Sequence, residues 1–440
     1  MARHRVSPVT VQRAIARLSS EGIVEPRPGR GTFVAQRPSA STVPDLSWQE
    51  VALGAGGADP GGLDALLAMP PEGTIPLTHG YVDAAMQPTA ALATALARAA
   101  RRPGAWDRLP VEGLGELREW FATQAGGALR GHDVVISSGG QQLLGTAFRA
   151  LAAPGEPVLV ESPTYLGALA AARSAGLVPI PVPADADGVR PDLLERAFEQ
   201  TGARLFYCQP AYANPHGATL ADDRRGPLLR AVADAGAFVI EDDWARDMGI
   251  DSDPPPPLVA DDADGHVVHM RSLTKVAAPS LRVAAVAARG AAGARLRAAR
   301  VVDDFFVAGP LQLAALELVS SPAWRRHLKA LRAALRERRD VLVAAVESDL
   351  PGARIVTIPS GGFHLWLRLP DSADETAIVA SAAAAGVLVS PGRPWHAAEP
   401  PAPHLRLTFA GAAPDALAEG VRRLAAAAPI LQDGSAAHDS

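Results

Sequence analysis

Lys275 lies in a stretch of small and hydroxylated residues where its amine could act as a nucleophile. The stretch begins at Arg271 and follows the apolar residues 267–270, which predict a buried strand. A lysine amine at a strand end can lose solvent, become nucleophilic and form a Schiff base. Ser272 and Arg282 add a hydroxyl and a guanidinium, a pair suited to a cofactor phosphate. The alternative is a solvated lysine, because a short Ser-x-x-Lys match often arises by chance.

Polar residues follow three other predicted strands. Asn214 lies in the segment after residues 205–208, and an acidic run that includes Asp242 follows residues 237–240. Acidic residues directly after an apolar strand cost free energy unless they are exposed, bind a metal or pair with a cation. Tyr165, after the strand at 158–160, could stack on a flat ring or pack half-buried as an ordinary core residue.

Glycines mark the turn after the predicted strand at residues 134–136. Gly139, Gly140 and Gln141 lead from this strand into a helix predicted over residues 143–152. A glycine-rich turn of this kind leaves backbone N–H groups free to bind a phosphate at the helix N-terminus. The alternative is a tight connection with no ligand.

Strands and helices alternate through residues 72–310, which predicts the α/β fold class. Alternation of this type gives a mostly parallel sheet between helices, with its site at the carboxyl ends of the strands. A second, smaller α/β unit is predicted over residues 311–430, and it contains Arg406. The last residues, 431–440, have the composition of a disordered tail.

Composition excludes several classes of protein. The 440 residues include one cysteine, Cys208, so neither an intrachain disulfide nor a cysteine-based zinc site can form, and no metal site is predicted. The sequence has no signal peptide and no apolar span long enough for a bilayer, so we expect a cytoplasmic protein without membrane partners. Residues 1–37 carry seven arginines and two glutamates, a net charge of +5 in a chain of net charge −5. A basic head on an acidic body indicates that the head meets a polyanion.

The basic head has the pattern of a helix followed by a hairpin. Ser7-Pro8 predicts a helix start, and Val11, Ile15 and Leu18 recur at helical spacing toward a small core. Residues 23–34 predict two strands joined by a glycine- and arginine-rich tip. In a winged helix-turn-helix, such a helix enters the major groove of duplex DNA and the wing reaches the phosphates or the minor groove. The candidate DNA contacts are Ser7, Thr10, Gln12, Arg13, Arg27 and Arg30. The alternative is a solvated basic helix with a hairpin.

Two family resemblances account for these patterns. Residues 6–34 resemble the second half of the GntR-type winged helix, whose signature ends in Gly-x-Gly-Thr-Phe-Val, so residues 1–37 form a partial module. The helices that usually brace this half are not in the sequence, which indicates either a start codon placed too late or an incomplete module. From the residues given, we expect weak, unselective DNA binding. A Pro-, Gly- and Ser-rich linker is predicted over residues 38–71. Residues 80–427 resemble the fold-type I pyridoxal-phosphate enzymes of aminotransferase class I and II, and the two parts together resemble the MocR-type regulators.

The resemblance to the fold-type I pyridoxal-phosphate enzymes implies a role for each candidate residue. Lys275 would carry pyridoxal 5'-phosphate as a Schiff base, and Asp242 would pair with the pyridine nitrogen. Asn214 would bind the phenolic oxygen, Tyr165 would stack on the ring, and Arg406 would receive a substrate carboxylate. The phosphate would be bound by Gly139, Gly140, Gln141, Ser272 and Arg282.

Three positions depart from the family pattern. One is Ser280, which stands where a glycine is usual. Trp244 stands where a tyrosine usually meets the phenolic oxygen, and its indole N–H can donate but cannot ionise. Arg108 stands where related enzymes often have a tyrosine that reaches the phosphate of the neighbouring subunit. We therefore expect cofactor binding with slow transamination at best.

Three functions follow from these patterns. The first is a transcriptional regulator whose body binds pyridoxal phosphate and an amino acid or amine, as a homodimer on duplex DNA. The second is a working aminotransferase with a vestigial head. The third is a structural protein that kept the fold without the cofactor. The basic helix and wing favour the regulator, because an enzyme has no use for them.

Overall fold

The computed structural model of the chain describes residues 6–35, 45–53 and 62–433. Residue contacts divide the chain into two compact units, Met1–Gly57 and Ala58–Ser440. The stretch expected to be a linker contains two short helices, α2 (Trp48–Leu53) in the first unit and α3 (Leu63–Leu67) in the second. Among the described residues, no helix is both long enough and apolar enough to cross a membrane.

The first unit contains the predicted helix and hairpin. Helix α1 (Pro8–Ser20) starts as expected, because the Ser7 hydroxyl accepts the Thr10 N–H at 3.1 Å. Strands β1 (Val24–Arg27) and β2 (Gly31–Val34) pair antiparallel across the glycine-rich tip. The small core expected on α1 does not close within the described residues, because one helix and one hairpin cannot enclose its apolar face. No residue of α1 is buried, and Leu18 is 37% exposed.

The second unit is built on an eight-stranded sheet, in agreement with the predicted α/β class. Its strands lie in the order β4-β11-β10-β9-β8-β5-β6-β7, and all are parallel except β11 and β7. These strands are β4 (Val134–Ser137), β5 (Pro157–Ser162), β6 (Val178–Asp185), β7 (Gly188–Val189), β8 (Leu205–Cys208), β9 (Phe238–Asp242), β10 (Val267–Ser272) and β11 (Ala284–Ala287). The central strands are buried along almost their whole length, which explains their continuous apolar runs.

Helices cover both faces of this sheet and enclose two apolar clusters, one on each face. Those of the second unit as far as residue 319 are α4 (Thr89–Ala99), α5 (Gly115–Ala125), α6 (Gly140–Leu151), α7 (Leu166–Ser174), α8 (Pro191–Thr201), α9 (Asp222–Asp234), α10 (Leu258–Asp261), α11 (Gly290–Asp304) and α12 (Gly309–Val319). Two boundaries differ from the prediction near the site. Helix α6 begins at Gly140 rather than at residue 143, and β9 extends to Asp242, which pairs with Met270 of β10.

A smaller, four-stranded antiparallel sheet follows in the order β12-β13-β16-β15. Its strands are β12 (Arg354–Ile355), β13 (His364–Arg368), β15 (Ser390–Pro391) and β16 (His404–Thr408). A separate parallel pair joins β3 (Ile75–Pro76) to β14 (Val387–Leu388). The accompanying helices are α13 (Pro322–Asp349), α14 (Glu375–Ala384) and α15 (Pro414–Ala427).

The tail expected over residues 431–440 is ordered at its start. Leu431 is buried because a short 3-10 helix, Pro429–Leu431, returns it to the core. The expectation of disorder is therefore wrong for Leu431, and residues 434–440 lie outside the described residues.

Candidate active site

The carboxyl ends of the central strands open into a cavity of about 410 Å³. Most of the residues singled out in the sequence line it. They are Gly140, Gln141, Tyr165, Asn214, Asp242, Trp244, Ser272, Lys275, Arg282 and Arg406. Parallel strands place residues from distant parts of the chain at one sheet edge, and this convergence produces the site.

Lys275 lies just beyond β10, with its amine directed into the cavity. Its Nζ donates to the Gly80 carbonyl at 2.6 Å and lies 3.9 Å from the centre of the Tyr81 ring. Burial, together with the positive charges of Arg406 and Arg282, lowers the pKa of Lys275 to about 7. A large fraction of this amine is therefore unprotonated at neutral pH, as a nucleophile requires.

Asp242 ends β9 and is a buried carboxylate. Its Oδ2 accepts hydrogen bonds from the Tyr207 hydroxyl at 2.7 Å and from the Gln209 side chain at 2.9 Å. Burial raises its pKa even though both hydrogen bonds oppose that shift. A cation placed against this carboxylate would restore its charge, which is the requirement for holding a protonated ring nitrogen.

Gln209 connects three parts of the site. Its side chain donates to Asp242 through Nε2 and accepts the Asn214 backbone N–H at 2.9 Å through Oε1. Its own backbone N–H donates to the Glu161 carboxylate at 2.8 Å. Because Gln209 uses both ends of its amide, it fixes the Asn214 loop relative to Asp242. This arrangement explains why a glutamine follows the buried strand β8.

The acidic residues on either side of Asp242 do not face the cavity. Glu241 accepts the backbone N–H groups of Leu258 and Val259 at the start of α10. Asp243 contacts Arg246 and His269. Burial opposes ionisation of Asp243, but its hydrogen bond with His269 and the charge of Arg246 lower its pKa to about 2. Each acid of the run is thus compensated separately, and only Asp242 belongs to the site.

The N-terminus of α6 and Arg282 form a cradle for an anion. Gly139, with a φ of 117°, precedes this helix, and a side chain there would clash with the Arg282 guanidinium. The first N–H groups of a helix have no partner within the helix and attract negative charge. Among the described residues, Arg282 has no ion pair. The Ser272 hydroxyl accepts the Thr274 N–H at 3.2 Å at the edge of the cradle.

Tyr165 lies beside this cradle. Its hydroxyl donates to Gln141 Oε1 at 3.1 Å, and the Gln141 side chain donates to the Gly167 carbonyl at 2.8 Å. Any side chain at Gly167 would clash with the tyrosine ring. The glycine and the hydrogen bonds therefore determine where the ring lies.

Arg406 is a buried cation in β16. It donates to the Thr78 carbonyl at 2.6 Å and to Asn214 Oδ1 at 3.3 Å, and it lies 4.3 Å from the centre of the Trp395 ring. Burial lowers its pKa to about 9, and its Nε has no hydrogen-bond partner within the described residues. No carboxylate pairs with it in the described part of the chain, so Arg406 is suited to receive one from a ligand.

Three residues predicted from the sequence differ from the other candidates in how they meet the cavity. Gly139 adjoins the cavity at the α6 N-terminus, and the exposed Arg108 does not line the cavity of its own chain. The Trp244 indole N–H donates to the Tyr212 carbonyl at 3.2 Å, so only its ring faces the cavity. Because of that bond, the indole N–H is not available to a ligand.

Sequence reasoning missed several residues of the site. Tyr207 and His364 are polar groups inside apolar strands, and that pattern signals a need for partners at the sheet edge. The sequence prediction does not include Tyr81 and Gln209, which also line the cavity. The leucines of α3 could not be found, because they lie in a stretch with the composition of a linker.

The candidate DNA contacts lie in the first unit. Ser7 and Thr10 hydrogen-bond to each other at 2.8 Å, whereas Gln12 and Arg13 are exposed on α1. Arg27 pairs with Glu25 at 3.1 Å on the hairpin. Arg30, at the hairpin tip, is exposed and has no ion pair within the described residues.

Comparisons with known proteins follow the same division of the chain. Residues 76–424 match the family model described as aminotransferase class I and II, and residues 1–34 match that of bacterial regulatory proteins, gntR family. The 2-aminoadipate transaminase of Thermus thermophilus is 31% identical over 86% of this chain and 96% of its own. The uncharacterized HTH-type transcriptional regulator YdfD of Bacillus subtilis is 25% identical over 96% of this chain and 88% of its own.

A solved structure shares the fold of the second unit. It is LysN, the α-aminoadipate aminotransferase from Thermus thermophilus, complexed with N-(5'-phosphopyridoxyl)-L-leucine. The match has a TM-score of 0.78 and 30% identity, and it covers 87% of this chain and 98% of LysN.

The pKa of Lys275 leads to a test by chemical labelling. The sequence contains two lysines, Lys275 in the cavity and Lys329 exposed on α13. In cofactor-free protein, we expect acetylation of Lys275 by acetic anhydride to rise with pH, with a midpoint near 7. Only the unprotonated amine reacts, and a solvated lysine has a pKa of about 10.4. Mass spectrometry of both peptides from one sample gives the profile, with Lys329 as the internal control. A Lys275 midpoint above about pH 9, close to that of a solvated lysine, would contradict the geometry.

Proposed function

We propose that this chain, which belongs to the class I and II aminotransferase family, is a pyridoxal-phosphate-binding transcriptional regulator of the MocR type. A segment that matches the gntR family precedes the aminotransferase part. The observation that carries this proposal is the presence in one chain of a basic helix and hairpin and of a cavity lined by Lys275, Asp242 and Arg406. The head binds duplex DNA, and the body binds the cofactor and senses an amino acid or amine.

The cavity fits pyridoxal phosphate on three independent observations. Lys275 offers an amine that is partly unprotonated at neutral pH. Asp242 is a buried carboxylate that needs a cation, and Arg282 beside the α6 N-terminus is a cation that needs an anion. When bound, the cofactor supplies an electron-withdrawing ring that stabilises negative charge at the carbon next to the ligand's nitrogen.

Different residues of the chain hold different parts of pyridoxal phosphate. Lys275 attaches it, and Asp242 keeps the ring nitrogen protonated because Tyr207 and Gln209 hold its carboxylate in place. Asn214 is positioned to donate to the phenolic oxygen, since its Oδ1 already accepts from Arg406. Arg406 then receives the carboxylate of the amino compound.

Attachment at Lys275 is tested by reduction of the protein–cofactor adduct. We expect the full chain to trap pyridoxal phosphate on borohydride treatment and to carry the label on the Lys275 peptide. Lys275→Arg should lose at least about 95% of the label, because arginine keeps the charge but cannot form the Schiff base. Lys329→Arg is the matched control and should retain it. Equal labelling of the two variants would refute the assignment.

The DNA-binding part of the proposal depends on the exposed basic side chains of the first unit. Arg13 lies on α1, and Arg27 and Arg30 flank the hairpin tip. Arginines on a wing contact phosphates, and each phosphate contact contributes to the salt dependence of binding.

A salt titration tests this contribution. Replacing Arg27 and Arg30 with glutamine should weaken binding to duplex DNA from the region upstream of the gene. It should also reduce the slope of log K against log salt by about 2, since each phosphate contact contributes roughly 0.9. The control replaces Arg325 and Arg326, an exposed pair on α13, with glutamine. Fluorescence titration of a labelled duplex at several salt concentrations gives the slopes. The same slope for both double variants would contradict phosphate contacts from Arg27 and Arg30.

A homodimer through the second unit is also proposed. Trp106, Val302 and Phe305 are 76%, 85% and 68% exposed, an unusual amount of apolar surface. Gly309 lies against the Ala105 carbonyl, so the segments that carry these side chains are close together. Arg108 belongs to the same region and is free to reach the cavity of a second copy.

Sedimentation velocity tests the dimer. The cofactor-loaded chain should sediment as a dimer at micromolar concentration. The double variant Val302→Arg/Phe305→Arg should shift to monomer, because it buries two charges in the apolar contact. Val178→Arg, a charge added at an exposed position of β6, should remain dimeric. A monomeric parent chain at this concentration would rule the dimer out.

A working aminotransferase is the second candidate function. It is favoured by the convergence of Lys275, Asp242, Asn214 and Arg406 in one cavity. Binding of duplex DNA through the wing arginines in the salt titration favours the regulator, because an enzyme with a vestigial head has no use for such contacts. The ring of Trp244, with its N–H already bonded, supports slow rather than fast conversion.

A further inference from the structure

We infer that the amino compound sensed by this site is an α-amino acid with an uncharged, apolar side chain, seated against the leucines of α3. The inference rests on the proposed function, since it concerns the ligand of the same cavity. It is carried by the distribution of charge in the cavity and by the position of α3 relative to Arg406.

In the proposed function, each charged residue that lines the described cavity already binds the cofactor or the α-carboxylate of the ligand. Arg282 serves the phosphate, Lys275 and Asp242 serve the ring, and Arg406 serves the α-carboxylate. The described lining contains no further arginine, lysine, aspartate or glutamate. A ligand with a second carboxylate would therefore find no second cation in the described lining, and Arg108 of a second copy is expected at the cofactor phosphate rather than at the ligand. A ligand with a cationic side chain would find no free acid.

His364 does not supply the missing charge. It lines the cavity on β13 and is buried, with its ring stacked on Trp244 at a centroid distance of 5.5 Å. Burial, reinforced by the charges of Arg406 and Lys275, lowers its pKa well below the usual value. The imidazole is thus neutral and can contact an uncharged side chain of the ligand without a cost in free energy.

Helix α3 forms an apolar wall next to the carboxylate receiver. Leu63 and Leu66 pack against the buried cluster that contains Trp395, and the same Trp395 ring lies under Arg406. Leu63, Leu66 and Leu67 all line the cavity. An amino acid whose carboxylate meets Arg406 therefore has leucine side chains within reach of its own side chain.

The physical consequence is discrimination by charge. Moving a carboxylate or ammonium group from water against leucine side chains is unfavourable without a partner. An alkyl chain of the same length gains from the same contact, and single methylene groups change binding in apolar pockets by about 10- to 200-fold.

Isothermal titration calorimetry on the cofactor-loaded full chain tests this inference with matched ligands. L-norleucine and L-2-aminoadipate have straight side chains of equal length that differ in the terminal carboxylate, and L-lysine adds a terminal ammonium. We expect L-norleucine to bind at least about tenfold more tightly than either. The visible absorbance of the bound cofactor verifies loading in each sample.

Two arginine variants make the test specific to α3. Leu67→Arg places a cation at a lining position that is 59% exposed, so the fold should tolerate it. It should reduce the preference for L-norleucine over L-2-aminoadipate by tenfold or more. Met69→Arg adds the same charge at a residue that is 85% exposed and outside the described lining, and it should leave the preference unchanged.

The outcomes separate this inference from the proposed function. Binding of L-2-aminoadipate or L-lysine as tight as that of L-norleucine would overturn the apolar ligand and leave the amino-acid sensor intact. Equal effects of the two arginine variants would overturn the role of α3. No binding of any of the three amino acids to loaded protein would overturn this inference and leave a sensor of another amino compound standing.

Discussion

A carboxylate removed from water at the edge of a buried sheet must be compensated, and the site of this protein is arranged around that requirement at Asp242. Tyr207 and Gln209 donate to one of its oxygens and fix its orientation. These bonds do not offset burial, which still raises the pKa of the carboxyl. A cation in the cavity would supply the remaining stabilisation, and in the proposed function that cation is the protonated ring nitrogen of the cofactor.

The positively charged side chains of the cavity lack anionic partners, just as Asp242 lacks a cationic one. Lys275, Arg282 and Arg406 line one cavity, and burial with mutual repulsion lowers the pKa of Lys275 to about 7. In the proposed function, an anionic cofactor would relieve this repulsion at Arg282, and the carboxylate of an amino acid would relieve it at Arg406. The electrostatics of the free cavity therefore favour binding of the complete set of ligands. Binding of this kind stabilises the folded chain by mass action.

The same residues suit both sensing and catalysis, so the cavity by itself does not distinguish a regulator from an enzyme. Arg406 belongs to the small sheet and hydrogen-bonds to Asn214 in the loop after β8. A ligand carboxylate at Arg406 thus acts on both parts of the second unit. What separates the functions is the basic helix and hairpin of the first unit, together with a Trp244 indole that is engaged elsewhere.

The sequence by itself determined the α/β alternation, the helix and hairpin of the head, and the lysine, aspartate, asparagine and arginines of the site. These follow from local patterns, because strand ends, glycine turns and caps depend on neighbours in the chain. Only the tertiary structure decided that Tyr207 and Gln209 hold Asp242, that Arg406 is buried over Trp395, and that α3 closes an apolar wall. Those contacts join residues from different elements of the fold. Their strength comes from burial, which no local pattern encodes.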